Sequence, residues 1–271
     1  MELSEEQIRR YARHIVLPEI GGTGQARLLA ARVLVVGAGG LGSPLLLYLA
    51  AAGVGTLGIV DFDRVDASNL QRQVLFSTAD QGIPKVDAAA ERLRALNPGL
   101  RLERHKLRLE PDNARELVEA YDLVADGSDS MATRLAVHDA CRAAGRTLVS
   151  AAVQGTDGQL TTFKSHLGPP HPCLRCLFPE PPPADALPSC AQAGVLGPAA
   201  GVMGCLQAVE VVKEILGPPL ASASGSLLLY DALAARLDRL SVRRDPACAR
   251  ACCRPGPGAD PAPGGIRGAG E

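Results

Sequence analysis

The chain has 271 residues, a formal net charge of −1 at pH 7 and 46% hydrophobic residues. Its nearly neutral charge argues against nucleic acid or an anionic membrane as the main partner. Aromatic residues make up only 3% of the chain and tryptophan is absent, so a base-stacking surface is not expected. The length allows one large domain or two small ones, and the composition is that of a globular α/β protein.

The N-terminal segment predicts two helices. The first covers 4–15 and begins with Ser4 and Gln7, which have the spacing of a capping box; the second covers 24–31. Arg13 lies on a basic face of the first helix, which on pattern alone is typical of a solvated surface. The segment is acidic and then basic without an apolar core, unlike a signal peptide, so we expect a cytoplasmic protein.

The segment from Val33 to Asp61 predicts a strand, a glycine-rich turn, a helix and a second strand. This order is a βαβ unit, in which a glycine-rich first turn lets the backbone approach a phosphate at the helix N-terminus. The glycines of the turn are Gly37, Gly39, Gly40 and Gly42. Asp61 lies where an acidic residue can accept hydrogen bonds from ribose hydroxyls. Glycines and Pro44 interrupt the apolar run, so we expect no membrane span.

The rest of the chain predicts an α/β fold in which a Rossmann-like parallel sheet becomes mixed at about residue 155. Helices are predicted over 86–96, 113–120, 131–144 and 198–216. Strands are predicted over 100–105, 122–126, 147–152, 159–164, 226–230 and 236–242, the fourth of these antiparallel to a neighbour. Residues 169–190 are proline-rich and predict a long irregular crossover.

Two polar segments follow predicted buried strands, where open α/β sheets bind ligands. The first contains Asn69, Gln71, Arg72 and Gln73 and is equally compatible with an ordinary surface loop. Lys85 then begins a helix, where a cation opposes the helix dipole, so we expect an anionic ligand to compensate it. In the second segment Asp129 precedes a helix, and it fits either a magnesium ligand or the helix N-cap.

The eight cysteines include two groups that are far apart in sequence. Cys173 and Cys176 form a Cys-x-x-Cys pair, and Cys248, Cys252 and Cys253 lie near the C-terminus. Two such groups can close one tetrahedral zinc site, which would join the crossover to the C-terminal segment. The first pair could instead be a redox dithiol, although that motif normally opens a helix after a strand. The cysteines could also be incidental.

Seven motifs in unbroken order resemble one known family. They are GAGGLG from Gly37, DFD from Asp61, SNLQRQ from Ser68, Pro84-Lys85, SDSMATR from Ser128, CLRC from Cys173 and AGVLGP from Ala193. Together they resemble the ubiquitin-activating-like adenylyltransferases of the HesA/MoeB/ThiF family. The resemblance covers about residues 4–253.

The resemblance implies a homodimer that uses magnesium-ATP to adenylylate the C-terminal glycine of a ubiquitin-like sulfur carrier, of the molybdopterin or the thiamine type. Arg72, Lys85 and Asp129 would be catalytic, and Arg13 would reach the partner's site. Cys190 matches a cysteine that in some members joins covalently to the activated carrier. The implied nucleotide-binding residues are Gly37, Gly39, Gly40, Gly42, Asp61, Asp63, Ser68, Asn69, Leu70, Gln71, Arg72, Lys85, Asp129 and Ser130. The implied zinc ligands are Cys173, Cys176, Cys248 and Cys252, and the implied sulfur donor is a cysteine desulfurase or a rhodanese-type protein.

The chain departs from the family pattern at two places. Ser130 stands where the family usually has asparagine, which puts a nucleotide contact in question. The C-terminal cysteines lack a Cys-x-x-Cys spacing, so Cys252 and Cys253 both remain candidates for the fourth ligand.

The expected organisation is a single domain over 1–253 with a disordered tail over 254–271. Within the domain we expect N-terminal helices over 4–31, an ATP-binding half over 32–155 and a carrier-binding, zinc-containing half over 156–253. Two other functions compete with adenylylation. The glycine turn and Asp61 would also fit an NAD-dependent dehydrogenase, in which SNLQRQ and Lys85 have no place. A non-catalytic zinc scaffold that binds a ubiquitin-like partner would not need Arg72, Lys85 and Asp129 together.

Overall fold

The computed structural model describes residues 2–179 and 194–246. The strands are β1 (Arg32–Val36), β2 (Thr56–Val60), β3 (Arg101–His105), β4 (Leu123–Asp126), β5 (Thr147–Gln154), β6 (Asp157–Phe163), β7 (Ser226–Asp231) and β8 (Arg236–Ser241). The helices of the described residues are α1 (Glu5–Arg10), α2 (Ala12–Ile15), α3 (Gly21–Ala30), α4 (Gly42–Ala52), α5 (Lys85–Leu96), α6 (Pro111–Glu119), α7 (Met131–Ala143), α8 (Leu174–Leu177) and α9 (Gly197–Leu216).

All eight strands form one sheet in the order β3-β2-β1-β4-β5-β6-β7-β8. The first five in chain order run parallel, with Val33 beside Leu57 on one side and Leu123 on the other. Strand β6 returns antiparallel to β5, and β7 and β8 continue antiparallel. The predicted α/β fold and the change to a mixed sheet near residue 155 are therefore confirmed.

Helices cover both faces of the parallel strands, which explains why β1, β2 and β4 are nearly continuous apolar runs. One apolar core lies between the sheet and helices α3, α4, α5 and α9. The second core lies under α6 and α7 on the opposite face and includes Leu174 of α8. No helix of the described residues is long and apolar enough to cross a membrane.

The predicted first helix is wrong at Tyr11, where the chain breaks into α1 and α2. Ser4 does cap α1 through the expected capping box with Gln7. Tyr11 is buried, and its hydroxyl accepts a hydrogen bond from Asn97 Nδ2 at 3.0 Å. The ring also lies against Gly53, where an added Cβ would come within 2.5 Å of it. These contacts hold Tyr11 outside helical geometry, at φ −102° and ψ 16°.

The crossover is also more regular than predicted, because α8 occupies its described part. The rest of the crossover lies outside the described residues, and so do the C-terminal cysteines and the tail. The division into an ATP-binding half and a carrier-binding half stays a prediction.

Candidate active site

A cavity of about 270 Å³ lies at the carboxyl ends of the parallel strands. It opens where β1 is flanked by β2 and β4, so the chain leaves adjacent strand ends in opposite directions, which is the usual ligand-binding position in such sheets. Ten of the residues implied as nucleotide-binding line it, namely Gly37, Gly39, Gly40, Asp61, Asp63, Asn69, Arg72, Lys85, Asp129 and Ser130.

The glycine turn brings backbone to the cavity wall. Gly37 has φ +90°, in the left-handed region that favours glycine. Gly42 does not line the cavity but lies directly below the turn, where an added Cβ would be 1.9 Å from the Gly37 carbonyl oxygen. No side chain of residues 2–179 and 194–246 caps the N-terminus of α4, which follows the turn. Its positive dipole end therefore faces the region where a phosphate is expected.

Asp61 fixes the glycine turn from the end of β2. Its Oδ2 accepts a hydrogen bond from the Ala38 backbone N–H at 2.8 Å, and its Oδ1 accepts one from the Asp63 N–H at 2.8 Å. Burial raises the pKa of this carboxyl above its usual value, against the opposing effect of the Lys85 ammonium. Asp61 therefore orders the turn as well as lining the cavity at the predicted ribose position.

Lys85 is 4% exposed, although it carries a charge and begins α5. Its Nζ lies 3.0 Å from Asp63 Oδ2, and its backbone N–H donates to the Asp63 carbonyl oxygen at 3.0 Å. Asp63 is therefore a protein anion beside this lysine, and the anionic ligand that we expected there stays a prediction. The pair holds the ammonium at the cavity, where it can meet a phosphate.

Arg72 approaches the cavity from the polar segment that follows β2. Its Nη1 donates to the Ser68 carbonyl oxygen at 3.1 Å. Its side chain also lies against Gly40, where an added Cβ would be 3.4 Å from Arg72 Cγ. The aliphatic part of Arg72 thus packs beside the glycine turn, and the side chain forms part of the same cavity wall.

Ser130, and not Asp129, caps α7. The Ser130 hydroxyl oxygen accepts a hydrogen bond from the Thr133 backbone N–H at 3.0 Å. The alternative that Asp129 serves as the N-cap is therefore wrong, and the exposed Asp129 carboxylate lies at the cavity. Such a hard oxygen ligand suits magnesium.

The protein-family model described as "ThiF family" matches residues 11–250 of this chain. The chain belongs to the ThiF family. It is 51% identical over 252 residues to a "Sulfur carrier protein adenylyltransferase" of Thermus thermophilus, covering 92% of both chains. It is also 55% identical to bovine "Adenylyltransferase and sulfurtransferase MOCS3", covering 93% of this chain but only 55% of that protein.

Among solved structures, E. coli MccB crystallised with ATP superposes with a TM-score of 0.76 at 20% identity. The match covers 90% of this chain and 74% of MccB. This likeness shows a shared fold.

Several residues of this ThiF-family site were missed by sequence reasoning. Arg108 and Phe62 line the cavity, and the Arg108 guanidinium lies 3.8 Å from the centre of the Phe62 ring. Leu107 and Leu109 add an apolar wall beyond the end of β3. The sequence contained one signal for these residues. The Lys-Leu-Arg-Leu segment follows a predicted parallel strand, and the carboxyl ends of such strands meet at one edge of the sheet. Arg134 also lines the cavity, and it was noticed only as part of a motif.

Besides Gly42, four other residues that the resemblance implies for the site do not line the cavity. Ser68, Leu70 and Gln71 belong to the same loop as Arg72 but lie outside the cavity wall. Arg13 is an exposed residue of α2 and is not in the wall of its own chain's cavity. Cys190 lies outside the described residues.

The predicted zinc ligands are only half described. Cys173 Sγ and Cys176 Sγ lie 3.5 Å apart, close to the separation of about 3.8 Å that two thiolates have on one tetrahedral zinc. The Asp245 backbone N–H donates to Cys176 Sγ at 3.4 Å, so the chain returns to this pair three residues before Cys248. No group of three or more candidate metal ligands occurs within residues 2–179 and 194–246.

Cys173 stands immediately before the four-residue helix α8. That helix does not directly follow a strand, because β6 ends at Phe163. Only part of the usual redox-dithiol pattern is therefore present. The return of the chain to Cys176 is what favours a metal site.

Proposed function

We propose that this chain uses magnesium-ATP to adenylylate the C-terminal glycine carboxylate of a small ubiquitin-like sulfur carrier. The observation that carries the proposal is one cavity whose wall combines the glycine turn with the cations Arg72 and Lys85 and the carboxylates Asp61 and Asp129, among others. The names of the relatives support the same reaction. An NAD-dependent dehydrogenase is not favoured, because the relatives are named adenylyltransferases and because hydride transfer does not need Arg72, Lys85 and Asp129 together.

The reaction needs electrostatic stabilisation more than proton transfer. A carrier carboxylate oxygen attacks the α-phosphorus, a new P–O bond forms, the bond to the β-phosphate oxygen breaks and pyrophosphate leaves. The attacking carboxylate is already ionised at pH 7, so no general base is required. Negative charge grows on the phosphates, where Arg72 and Lys85 stabilise it. Asp129 and the triphosphate would hold the magnesium ion, which supplies further neutralisation when bound.

Sulfur transfer would follow adenylylation. A cysteine desulfurase or rhodanese-type protein would supply the sulfur, and the carrier would be of the molybdopterin or the thiamine type. The Cys190 thiolate would displace AMP from the acyl adenylate, forming a C–S bond as the C–O bond to AMP breaks. Alternatively, Cys190 would first take the outer sulfur of the donor's persulfide, forming one S–S bond as another breaks, and would then attack the acyl adenylate.

Pyrophosphate exchange into ATP tests the proposal. The purified protein, with magnesium and a carrier that ends in Gly-Gly, should exchange pyrophosphate, and ATP rather than NAD should raise its melting temperature. Arg72→Ala and Asp129→Ala should each reduce exchange by about 10²-fold or more, the usual scale for one electrostatic partner in a transition state. Arg94→Ala, which changes an exposed arginine, is the control and should leave pyrophosphate exchange unchanged. Cys190→Ser should keep exchange but slow sulfur transfer.

The outcomes separate the parts of the proposal. Wild-type exchange in Arg72→Ala and Asp129→Ala would remove their assigned roles. No exchange with either type of carrier would contradict adenylylation itself. Wild-type sulfur transfer by Cys190→Ser would leave an enzyme that acts by adenylylation alone.

We further propose one structural zinc per chain, bound by Cys173, Cys176, Cys248 and Cys252. The support is the close thiol pair and the return of the chain at Asp245 to Cys176. Elemental analysis should find about one zinc per chain, because four ligands close one tetrahedral site. Cys173→Ser should lose zinc and thermal stability together, whereas Cys205→Ser, a described cysteine on α9, should lose neither. A protein that lacks zinc but has full stability would contradict this proposal.

A further inference from the structure

A buried histidine of α7 holds the backbone of the Cys-x-x-Cys turn. His138 is 1% exposed, and its Nε2 accepts a hydrogen bond from the Leu174 backbone N–H at 3.2 Å. Because Nε2 accepts that bond, the ring proton lies on Nδ1, which donates to Asp139 Oδ1 at 3.1 Å. The ring also packs edge-on against Phe163, with centroids 5.4 Å apart. The imidazole therefore has one tautomer and one orientation.

Asp139 holds the same turn through a side chain. Arg175 stands between the two cysteines, and its Nη1 and Nη2 donate to the two Asp139 carboxylate oxygens at 2.5 and 2.8 Å. Burial alone would raise the pKa of Asp139, but the hydrogen bonds from His138 and Arg175 outweigh it and hold the pKa below its usual value. A bidentate pair of this kind fixes both distance and orientation.

The three side chains form one continuous set of contacts, which we call the α7 clamp: His138, Asp139 and Arg175. His138 holds the backbone one residue after Cys173, and Asp139 holds the side chain one residue before Cys176. The clamp thus acts on both halves of the turn from two adjacent residues of one helix. That helix begins at Met131, directly after the Asp129–Ser130 edge of the cavity.

We propose that the α7 clamp is a positioning device that presets Cys173 and Cys176 at the separation required by a metal ion. This inference rests on the zinc site proposed above, and it adds residues that do not touch the metal. A thiol pair held ready by a rigid helix loses less conformational freedom when zinc binds. The clamp therefore contributes to zinc affinity and not only to the stability of the fold. Groups that orient metal ligands typically contribute 10- to 100-fold to affinity.

The test is an equilibrium competition for zinc between the full-length protein and a chromogenic chelator. Arg175→Leu should weaken zinc binding by about 10- to 100-fold. Asp139→Asn should also weaken it, and the double variant should be no weaker than the weaker of the two single variants, because both changes disrupt the same ion pair. Arg175→Lys, which keeps the charge but loses the second hydrogen bond, should recover part of the loss.

The matched control is Arg115→Leu, which breaks an exposed ion pair with Glu119 on α6 and should leave zinc affinity unchanged. Melting temperatures of zinc-loaded and zinc-stripped protein give the second readout. The difference in melting temperature between the zinc-loaded and the zinc-stripped form should be smaller in the clamp variants than in the wild type.

Two results would contradict the proposed role of the α7 clamp in zinc binding. The first is wild-type zinc affinity in Arg175→Leu and Asp139→Asn, with both melting temperatures lowered equally, since that is the behaviour of a structural ion pair. The second is additive losses in the double variant. Zinc content of the wild type is measured first, because a wild type that binds no zinc refutes the zinc site itself and, with it, the clamp.

Discussion

At the scale of single residues, short-range rules located the site but long-range contacts decided how it works. The motifs placed Arg72, Lys85 and Asp61 near one another, because all three belong to the one connection that leaves the end of β2, where open α/β sheets bind ligands. The Lys85–Asp63 ion pair could not be read from the sequence, since the two residues are 22 positions apart and meet only after β2 and α5 pack. The choice of Ser130 as N-cap was also open, because Asp129 and Ser130 are both good capping residues.

Gly42 gives the sharpest prediction at this scale. Gly42→Ala should destabilise the protein by about 1–3 kcal/mol, the usual cost of overpacking, because its Cβ would lie 1.9 Å from the Gly37 carbonyl oxygen. The displaced turn should also bind ATP more weakly. Gly22→Ala is the control, since the added methyl meets nothing within 4 Å and alanine favours the helix. Thermal denaturation and an ATP binding isotherm measure both effects. Equal stability in the two variants would show that the turn can relax.

At the scale of elements, periodicity predicted every strand. It did not predict the break in the first helix, which depends on contacts between elements. The buried runs before Gly37 and Gly127 indicated parallel strands, since apolar residues on both faces need helices on both sides. Tyr11 breaks the first helix because its ring and hydroxyl are held by Gly53 and Asn97, which are distant in sequence. Local periodicity contains no information about such contacts.

Helix α9 supports the cavity by bonding to the end of β4 and to the neighbouring strand β5. Gln207 is buried, and its Nε2 donates to the Asp126 carbonyl oxygen at 2.9 Å and to the Val149 carbonyl oxygen at 3.1 Å. The Asp126 side chain is also buried; its Oδ1 accepts from the Ser128 N–H at 2.9 Å, while its Oδ2 has no partner within the described residues. A polar strand end is therefore enclosed beside the loop that holds Asp129.

This enclosure makes stability depend on pH. Burial raises the pKa of the Asp126 carboxyl above its usual value, against the opposing effect of Arg134. The folded state thus holds this proton more tightly than the unfolded state. The destabilising effect is absent below the unfolded pKa of about 3.9, grows as the pH rises and is complete above the folded pKa.

Asp126→Asn should remove this effect, because the amide does not ionise. Between pH 4.5 and 7.5 the variant should lose less unfolding free energy than the wild type, as measured by urea denaturation at both values. Asp157→Asn, at an exposed position of β6, should behave like the wild type. Parallel pH profiles for Asp126→Asn and the wild type would show that the carboxyl is not the source.

At the scale of the whole molecule, the described chain forms one cavity with most of the proposed catalytic groups but without Arg13. That arginine lies exposed on α2, away from the cavity wall of its own chain. A separate basic helix that is exposed in one chain can complete a site in another, and two-fold symmetry would then complete both sites at once. We therefore expect a homodimer in which each Arg13 acts in the partner's cavity.

Mixing two inactive variants tests this arrangement. Arg13→Ala and Asp129→Ala subunits, exchanged in equal amounts, should give about half mixed dimers, each with one intact site, so pyrophosphate exchange should recover to about a quarter of the wild-type rate. Mixing Arg72→Ala with Asp129→Ala is the control. Both of those residues line the same chain's cavity, so no mixed dimer regains an intact site and exchange should stay absent. Mixed dimers can be counted by native mass spectrometry. If they form and the first pair recovers no more exchange than the second, Arg13 does not act across the interface.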